Sequence, residues 1–240
     1  LTSPNELEIE ALKKEIVGFN ASKNTEMAQK YLQQLDAITD SDDHLTQQFI
    51  LRSRILIGDL CNQYTPEEQI ALLLQAVRLT QPDFTLDLIS DRLYTVDEIK
   101  LINSIALVYS DLKQYSDALQ IHEQLLNYIE VHYSESVTSG GTLQLILYNY
   151  ARELCLDKQY QKSSILAQKG KDACIKYGQY HCLPGFLSIL AENTFFLEQK
   201  KESAEYYKEA YYLYRILGQS KNCHIIKTEA AERLGLTFAS

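Results

Sequence analysis

The feature that most constrains this chain is a spacing that returns four times along it. Start from a small residue near the middle of one amphipathic segment and step +3, +12, +16 and +19. Ala106 leads to Tyr109, Ala118, His122 and Leu125; Ala151 leads to Leu154, Ser163, Ala167 and Gly170. Ala191 leads to Thr194, Ser203, Tyr207 and Ala210, and Gly58 leads to Cys61, Ile70, Leu74 and Val77. Residues 101–130 show what one such stretch is. Ile102, Ile105, Ala106 and Tyr109 form one helical stripe, Lys113-Gln114 a polar turn, and Tyr115, Ala118, Leu119, His122, Leu125, Leu126 and Ile129 a second stripe. Steps of three and four residues put these side chains on one helix face, so each stretch predicts a helical hairpin. A lone hairpin cannot bury its apolar face, and the hairpins must stack.

This pattern resembles the tetratricopeptide repeat over residues 45–217. It departs from the usual form: Trp is absent, and Gly58 is the only glycine at the small position. The anchors lie 48, 45 and 40 residues apart, longer than the usual repeat of about 34. The excess is expected in residues 81–95 and in the polar, glycine-ended connector 133–141. Residues 1–44 read as a first hairpin, Glu6 to Val17 and Thr25 to Ile38 around Gly18-Phe19-Asn20. Residues 218–240 read as a capping helix, Ser220 to Leu234, stopped by Gly235. The expected fold is all-α: one continuous domain of eleven helices, a right-handed superhelical stack of tetratricopeptide-like hairpins with a C-terminal cap.

Composition narrows the function. With nine glycines and four prolines in 240 residues, long helices are favoured over a loop-rich β fold. A net charge of −9 argues against this segment gripping nucleic acid by itself. No run of about 20 apolar residues predicts a membrane span. The first ten residues carry neither the basic nor the apolar region of a signal peptide. Five scattered cysteines without a CxxC pair read as reduced thiols, which places the chain in the cytoplasm. The chain starts at Leu1 rather than Met, which implies that it is cut from something longer.

A more specific resemblance lies in the last third. Tyr177-Gly178, Leu183-Pro184, the helix around Ala191, and Ala210-Tyr211-Tyr212-Leu213-Tyr214 are similar to the C-terminal part of a group of Gram-positive transcription regulators. Residues 93–109 resemble the middle helix of the same group. These regulators join a helix-turn-helix to a tetratricopeptide-like domain and include the peptide-pheromone sensors of the RNPP family, with its Rgg and PlcR types. Residues 1–44 hold no helix-turn-helix. The resemblance therefore implies an upstream DNA-binding domain that is absent here, and contact with DNA only through it.

Catalytic motifs are missing: there is no GxSxG, P-loop, HExxH or glycine-rich dinucleotide turn. No enzyme, cofactor or metal is expected. His181-Cys182 lacks further ligands at a usable spacing, and His122 sits on an apolar stripe as a core histidine. In the tetratricopeptide architecture the first helix of each pair lines the concave side, with positions −3, +1 and +4 from the small residue pointing inward. That rule yields a candidate ligand groove of Asp59, Asn62, Asn103, Leu107, Tyr148, Arg152, Glu192 and Phe195. Ile55 either extends its apolar wall or belongs to the core. Arg152 is the only cation of the set and is expected to pair with Asp59 or Glu192, or to hold an acidic group of a ligand. The expected function is the effector-sensing and dimerisation domain of a bacterial transcription regulator, binding a short peptide or small effector in this groove. The tyrosine-rich last third is expected to form the homodimer surface. A free-standing adaptor that docks partner proteins is the alternative.

Overall fold

The computed structural model describes residues 4–132 and 141–238. Among them are eleven α-helices, one short 3-10 helix and no strand. The helices fall into two compact units, Leu1–Gln114 and Tyr115–Ser240. The connector expected at 133–141 lies outside the described residues except for Gly141, whose left-handed φ of +89° precedes the next helix.

The first unit holds α1 (Pro4–Ala21), α2 (Thr25–Ile38), α3 (His44–Leu60), α4 (Pro66–Arg78), a 3-10 turn (Leu86–Asp91) and α5 (Val96–Asp111). Each helix packs on the next, and α1 also touches α3. Ile16, Ala28, Leu32, Leu35, Ile50 and Ile57 form its apolar centre, with Phe19 against Tyr31 at 5.3 Å. One boundary differs from the sequence reading. Gly18-Phe19-Asn20 does not turn the chain; α1 runs through it to Ala21, because Phe19 belongs to that core. The turn comes at Ser22–Asn24, where the Asn24 side chain accepts the Met27 N–H at 3.2 Å and caps α2. Residues 81–95 absorb the long spacing between Gly58 and Ala106, and they do so as a packed insertion. Phe84, Ile89 and Tyr94 are buried, and the Arg78 guanidinium donates twice to the Phe84 carbonyl at 3.3 Å.

The second unit holds α6 (Tyr115–His132), α7 (Thr142–Leu156), α8 (Tyr160–Tyr177), α9 (Leu183–Phe196), α10 (Lys200–Ile216) and α11 (Ser220–Leu234). From α6 to α11 each helix packs on its neighbour. The repeat spacing has a direct physical basis here. Ala151 and Ala191 are fully buried, and the serine twelve residues on donates its hydroxyl to their carbonyls: Ser163 to Ala151 and Ser203 to Ala191, both at 2.7 Å. Asn193 in turn donates to the Ser163 hydroxyl at 2.7 Å, tying α9 to α8. A small anchor lets two helices close in, and the serine satisfies its own buried hydroxyl within the crossing. Gly170 admits the Phe186 ring, which would stand only 2.0 Å from a Cβ at that position.

The short turns share one geometry. Lys23, Asn62, Lys113, Lys158 and Glu198 adopt positive φ of 53–63°, as does Gly218 at 69°. Except at Asn62, each lies two residues before the next helix. A left-handed residue ends one helix and lets the chain reverse. The tyrosine-rich stretch is less free than its composition implies. Tyr207, Tyr211 and Tyr214 are buried within the unit, Tyr211 stacking on Phe238 at 4.3 Å. No helix among the described residues is long and apolar enough to cross a membrane.

Candidate functional site

Among the depressions of the described residues, two are lined by first helices of successive hairpins, one in each unit. In the first unit a cleft of about 490 Å³ lies between α1, α3 and the start of α5. Glu10, Lys13, Lys14 and Val17 come from one side, Leu45, Phe49 and Arg52 from the other, with Asp97 at the α5 end. The i, i+4, i+7 spacing of Leu45, Phe49 and Arg52 puts them on one face of α3. Val17 and Leu45 are 56% and 60% exposed, so the cleft offers bare aliphatic surface. The cations are closely placed. Lys13 bonds Glu10 at 3.1 Å and lies 5.9 Å from the centre of the Phe49 ring. Arg52 donates to Asp97 at 3.1 Å; burial lowers its pKa, and the Asp97 charge opposes that shift. Behind the cleft, buried Gln48 donates to the Ala76 carbonyl at 2.9 Å and to the Thr80 hydroxyl at 2.8 Å. That hydroxyl meets the buried Glu98 carboxylate, which also accepts the Thr95 N–H at 2.6 Å. This chain pins α3, α4 and α5 together, so the cleft has a braced wall.

The second depression is smaller, about 150 Å³, between α7, α9, α10 and α11. Tyr148, Arg152, Ser188, Glu192, Tyr214 and Glu229 are among its lining. Arg152 is exposed. The carboxylate of Glu192 is engaged elsewhere: Arg233 from α11 reaches it at 2.8 Å. The same guanidinium donates to the Tyr207 hydroxyl at 2.6 Å and stands 3.7 Å from Glu229. It also lies over Phe195 and Phe196, 5.9 and 5.5 Å from the ring centres. Burial pushes the Tyr207 hydroxyl and the Cys155 thiol up to about 12, with Glu192 adding to the Cys155 shift. Cys155 is therefore a protonated packing residue rather than a nucleophile.

The residues read from the sequence separate accordingly. Tyr148, Arg152 and Glu192 come together in the second depression. Phe195 lies beside it under Arg233. Asp59 accepts from Gln69 at 3.0 Å, bracing α3 against α4, and Asn62 holds the left-handed turn between those helices. Asn103 is only 3% exposed and belongs to the interior, as does Ile55 at 4%. Leu107 is half-buried. Arg152 is expected from the sequence to pair with Asp59 or Glu192, or to hold an acidic group of a ligand; Arg233, from outside the four repeats, holds the Glu192 carboxylate at 2.8 Å. The positional rule stops at α9 and treats α11 only as a polar cap. It also misses the larger cleft, because Gly58 stands at the end of α3 and samples only its last turn. The signal that finds the cleft is a second stripe on α3, Leu45–Phe49–Arg52, facing the adjacent lysines Lys13-Lys14.

His181 and Cys182 touch, Nε2 to Sγ at 3.1 Å, but among the described residues no three His, Cys, Asp or Glu group as metal ligands. All five cysteines are free.

No protein-family model matches the sequence, and no curated protein matches it. Among solved structures, the chain is similar to PlcR of Bacillus thuringiensis in complex with the peptide PapR7 and DNA. The TM-score is 0.75 at 17% identity, covering 94% of this chain and 76% of that one. It is similar to aspartyl phosphate phosphatase F of Bacillus subtilis, with a TM-score of 0.69 at 12% identity over 96% of this chain and 56% of that one. A kinesin light chain of tetratricopeptide-like repeats from Podosopora anserina gives 0.56 at 15% identity over 89% and 97%. The fold is thus that of tetratricopeptide-like helical repeats, and a regulator of the kind read from the last third of the sequence is among those that share it.

Proposed function

We propose that this chain is the effector-sensing and dimerisation part of a bacterial transcription regulator, and that a short peptide or similar small effector binds its first-helix face. The observation that carries this reading is the cleft of the first unit. It is about 490 Å³, within the usual range for ligand sites of about 300–1,000 Å³. It combines bare aliphatic surface, an aromatic ring and cations against a braced wall, the mixture that fixes both the place and the orientation of a ligand. The shared fold with PlcR, whose structure holds a peptide and DNA, supports the same reading. The net charge of −9 argues against this segment gripping DNA by itself and so supports contact through a separate basic segment. The second depression is the minor partner, since Arg233 already fills the place of a ligand cation on Glu192.

The test is a melting-temperature screen of the chain against synthetic peptides of about five to eight residues, followed by calorimetry on the hits. A ligand at a hundred times its Kd raises stability by about 2.7 kcal/mol, a shift of several degrees. The expected result is a sequence-selective set of peptides that stabilise the chain. Uniform silence, with binding only to folded protein partners, contradicts the reading and favours an adaptor.

A further inference from the structure

The inference concerns the polarity of the ligand, and it rests on the effector reading of the first cleft. In a chain of net charge −9, this cleft runs against the average. Lys13, Lys14 and Arg52 line it, and Lys100 stands at its rim, 3.5 Å from Asp97. Three carboxylates among the described residues answer them: Glu10 bonds Lys13 at 3.1 Å, Asp97 meets Arg52 at 3.1 Å and Lys100 at 3.5 Å, and Asp43, which caps α3, feels the Lys13 charge. Lys14 is exposed and has no ion pair among the described residues. Arg52, its side chain 22% exposed, uses one N–H on Asp97; a guanidinium carries five.

Beside these open donors lies the apolar part. Val17 and Leu45 are mostly exposed, and the Phe49 ring lies between the two helices that carry Lys13 and Arg52. Cationic donors and bare aliphatic surface a side chain apart match a ligand group with the same two halves. We infer that the cleft takes a carboxylate directly attached to a large apolar group. The carboxylate sits between Lys14 and Arg52, and the apolar group covers Val17, Leu45 and Phe49. One unpaired lysine beside a shared arginine balances a single negative charge. A phosphate, with nearly two, leaves charge uncompensated next to apolar surface, which is costly. A cationic ligand would compete with Lys13, Arg52 and Lys100 for the carboxylates they already face.

Two sources supply this chemistry: the C-terminal residue of a peptide, or a free aryl or alkyl carboxylate. Three probes separate them on the full chain, read by amide chemical shifts. They are N-acetyl-leucyl-phenylalanine, its C-terminal amide, and 3-phenylpropionate. The free-acid dipeptide should shift amides around Lys14, Phe49 and Arg52. The amide should bind about tenfold more weakly, a loss of about 1.4 kcal/mol. Lys14→Gln, a change at an exposed site, should weaken the acid about tenfold and leave the amide unchanged. Added salt should weaken the acid alone. Tighter binding of the dipeptide than of 3-phenylpropionate assigns the carboxylate to a peptide end; the reverse assigns it to a small acid. Equal binding of acid and amide at the cleft overturns the inference and leaves the effector reading standing. A cleft that answers none of these probes nor any peptide of the melting screen overturns both.

Discussion

Gly170 shows how one atom decides a helix crossing. Alanine is favoured over glycine inside a helix by about 0.8–1 kcal/mol. At Gly170, however, the added Cβ would stand 2.0 Å from the Phe186 ring, and overpacking of that kind costs about 1–3 kcal/mol. The crossing wins: Gly170→Ala should lower unfolding stability by about 1–2 kcal/mol, read from the denaturation midpoint, while Gly18→Ala, where nothing lies within 4 Å, should raise it. His122 makes a second residue-scale case. It is fully buried and stacks on Tyr150 at 6.1 Å, and burial lowers its pKa from 6.5 to about 3. The unfolded chain therefore takes up this proton first. The stabilising contribution is complete above pH 6.5 and is lost as pH falls from there toward 3, at up to about 1.4 kcal/mol per unit. Urea midpoints at pH 7.5 and 5 should differ more for the parent than for His122→Gln.

At the scale of elements, α11 packs on α10 and is tied to two helices by one side chain. Arg233 joins it to Glu192 on α9 and Tyr207 on α10. Truncation would leave the buried Tyr207 hydroxyl without this donor, and an unsatisfied buried group costs about 1–3 kcal/mol. Arg233→Ala should therefore destabilise the second unit by about 2 kcal/mol. Arg233→Lys should recover only part of it, since an ammonium cannot span both partners as a planar fork does. Equal stability of parent and Arg233→Ala, measured by denaturant unfolding, would mean that α11 docks through Ile226 and Ala230 alone. The elements themselves were the most legible part of the sequence. Their periodicity, caps such as Thr65-Pro66 and Thr95 with Glu98, and the recurring small residues all act locally. The turn of the first hairpin was not legible, because Phe19 is drawn into helix by a tertiary contact with Tyr31. The cleft was only half legible for the same reason: which stripe of α3 faces α1 depends on how hairpins stack, and that information is not in α3. Arg233 was hidden by its place in a segment read as a polar cap.

For the whole molecule, we expect self-association through the second unit, though on a narrower surface than the tyrosine count implies. Three of those tyrosines are internal. Tyr212, Ile216 and Ile225 are among the apolar side chains left exposed, at 42, 77 and 43%, and exposed apolar groups of this size favour a symmetric contact. Sedimentation velocity at tens of micromolar should show a dimer, and Ile216→Glu should return it to monomer with its helicity intact; a parent that sediments as monomer contradicts this. Hydrogen exchange of the chain with and without a stabilising peptide decides whether an effector cleft lies on the first-helix face. Exchange should slow mainly in residues 10–17 of α1 and 44–53 of α3, and this protection should be lost in Lys14→Glu. Protection confined to other segments, with 10–17 and 44–53 unchanged, would contradict it.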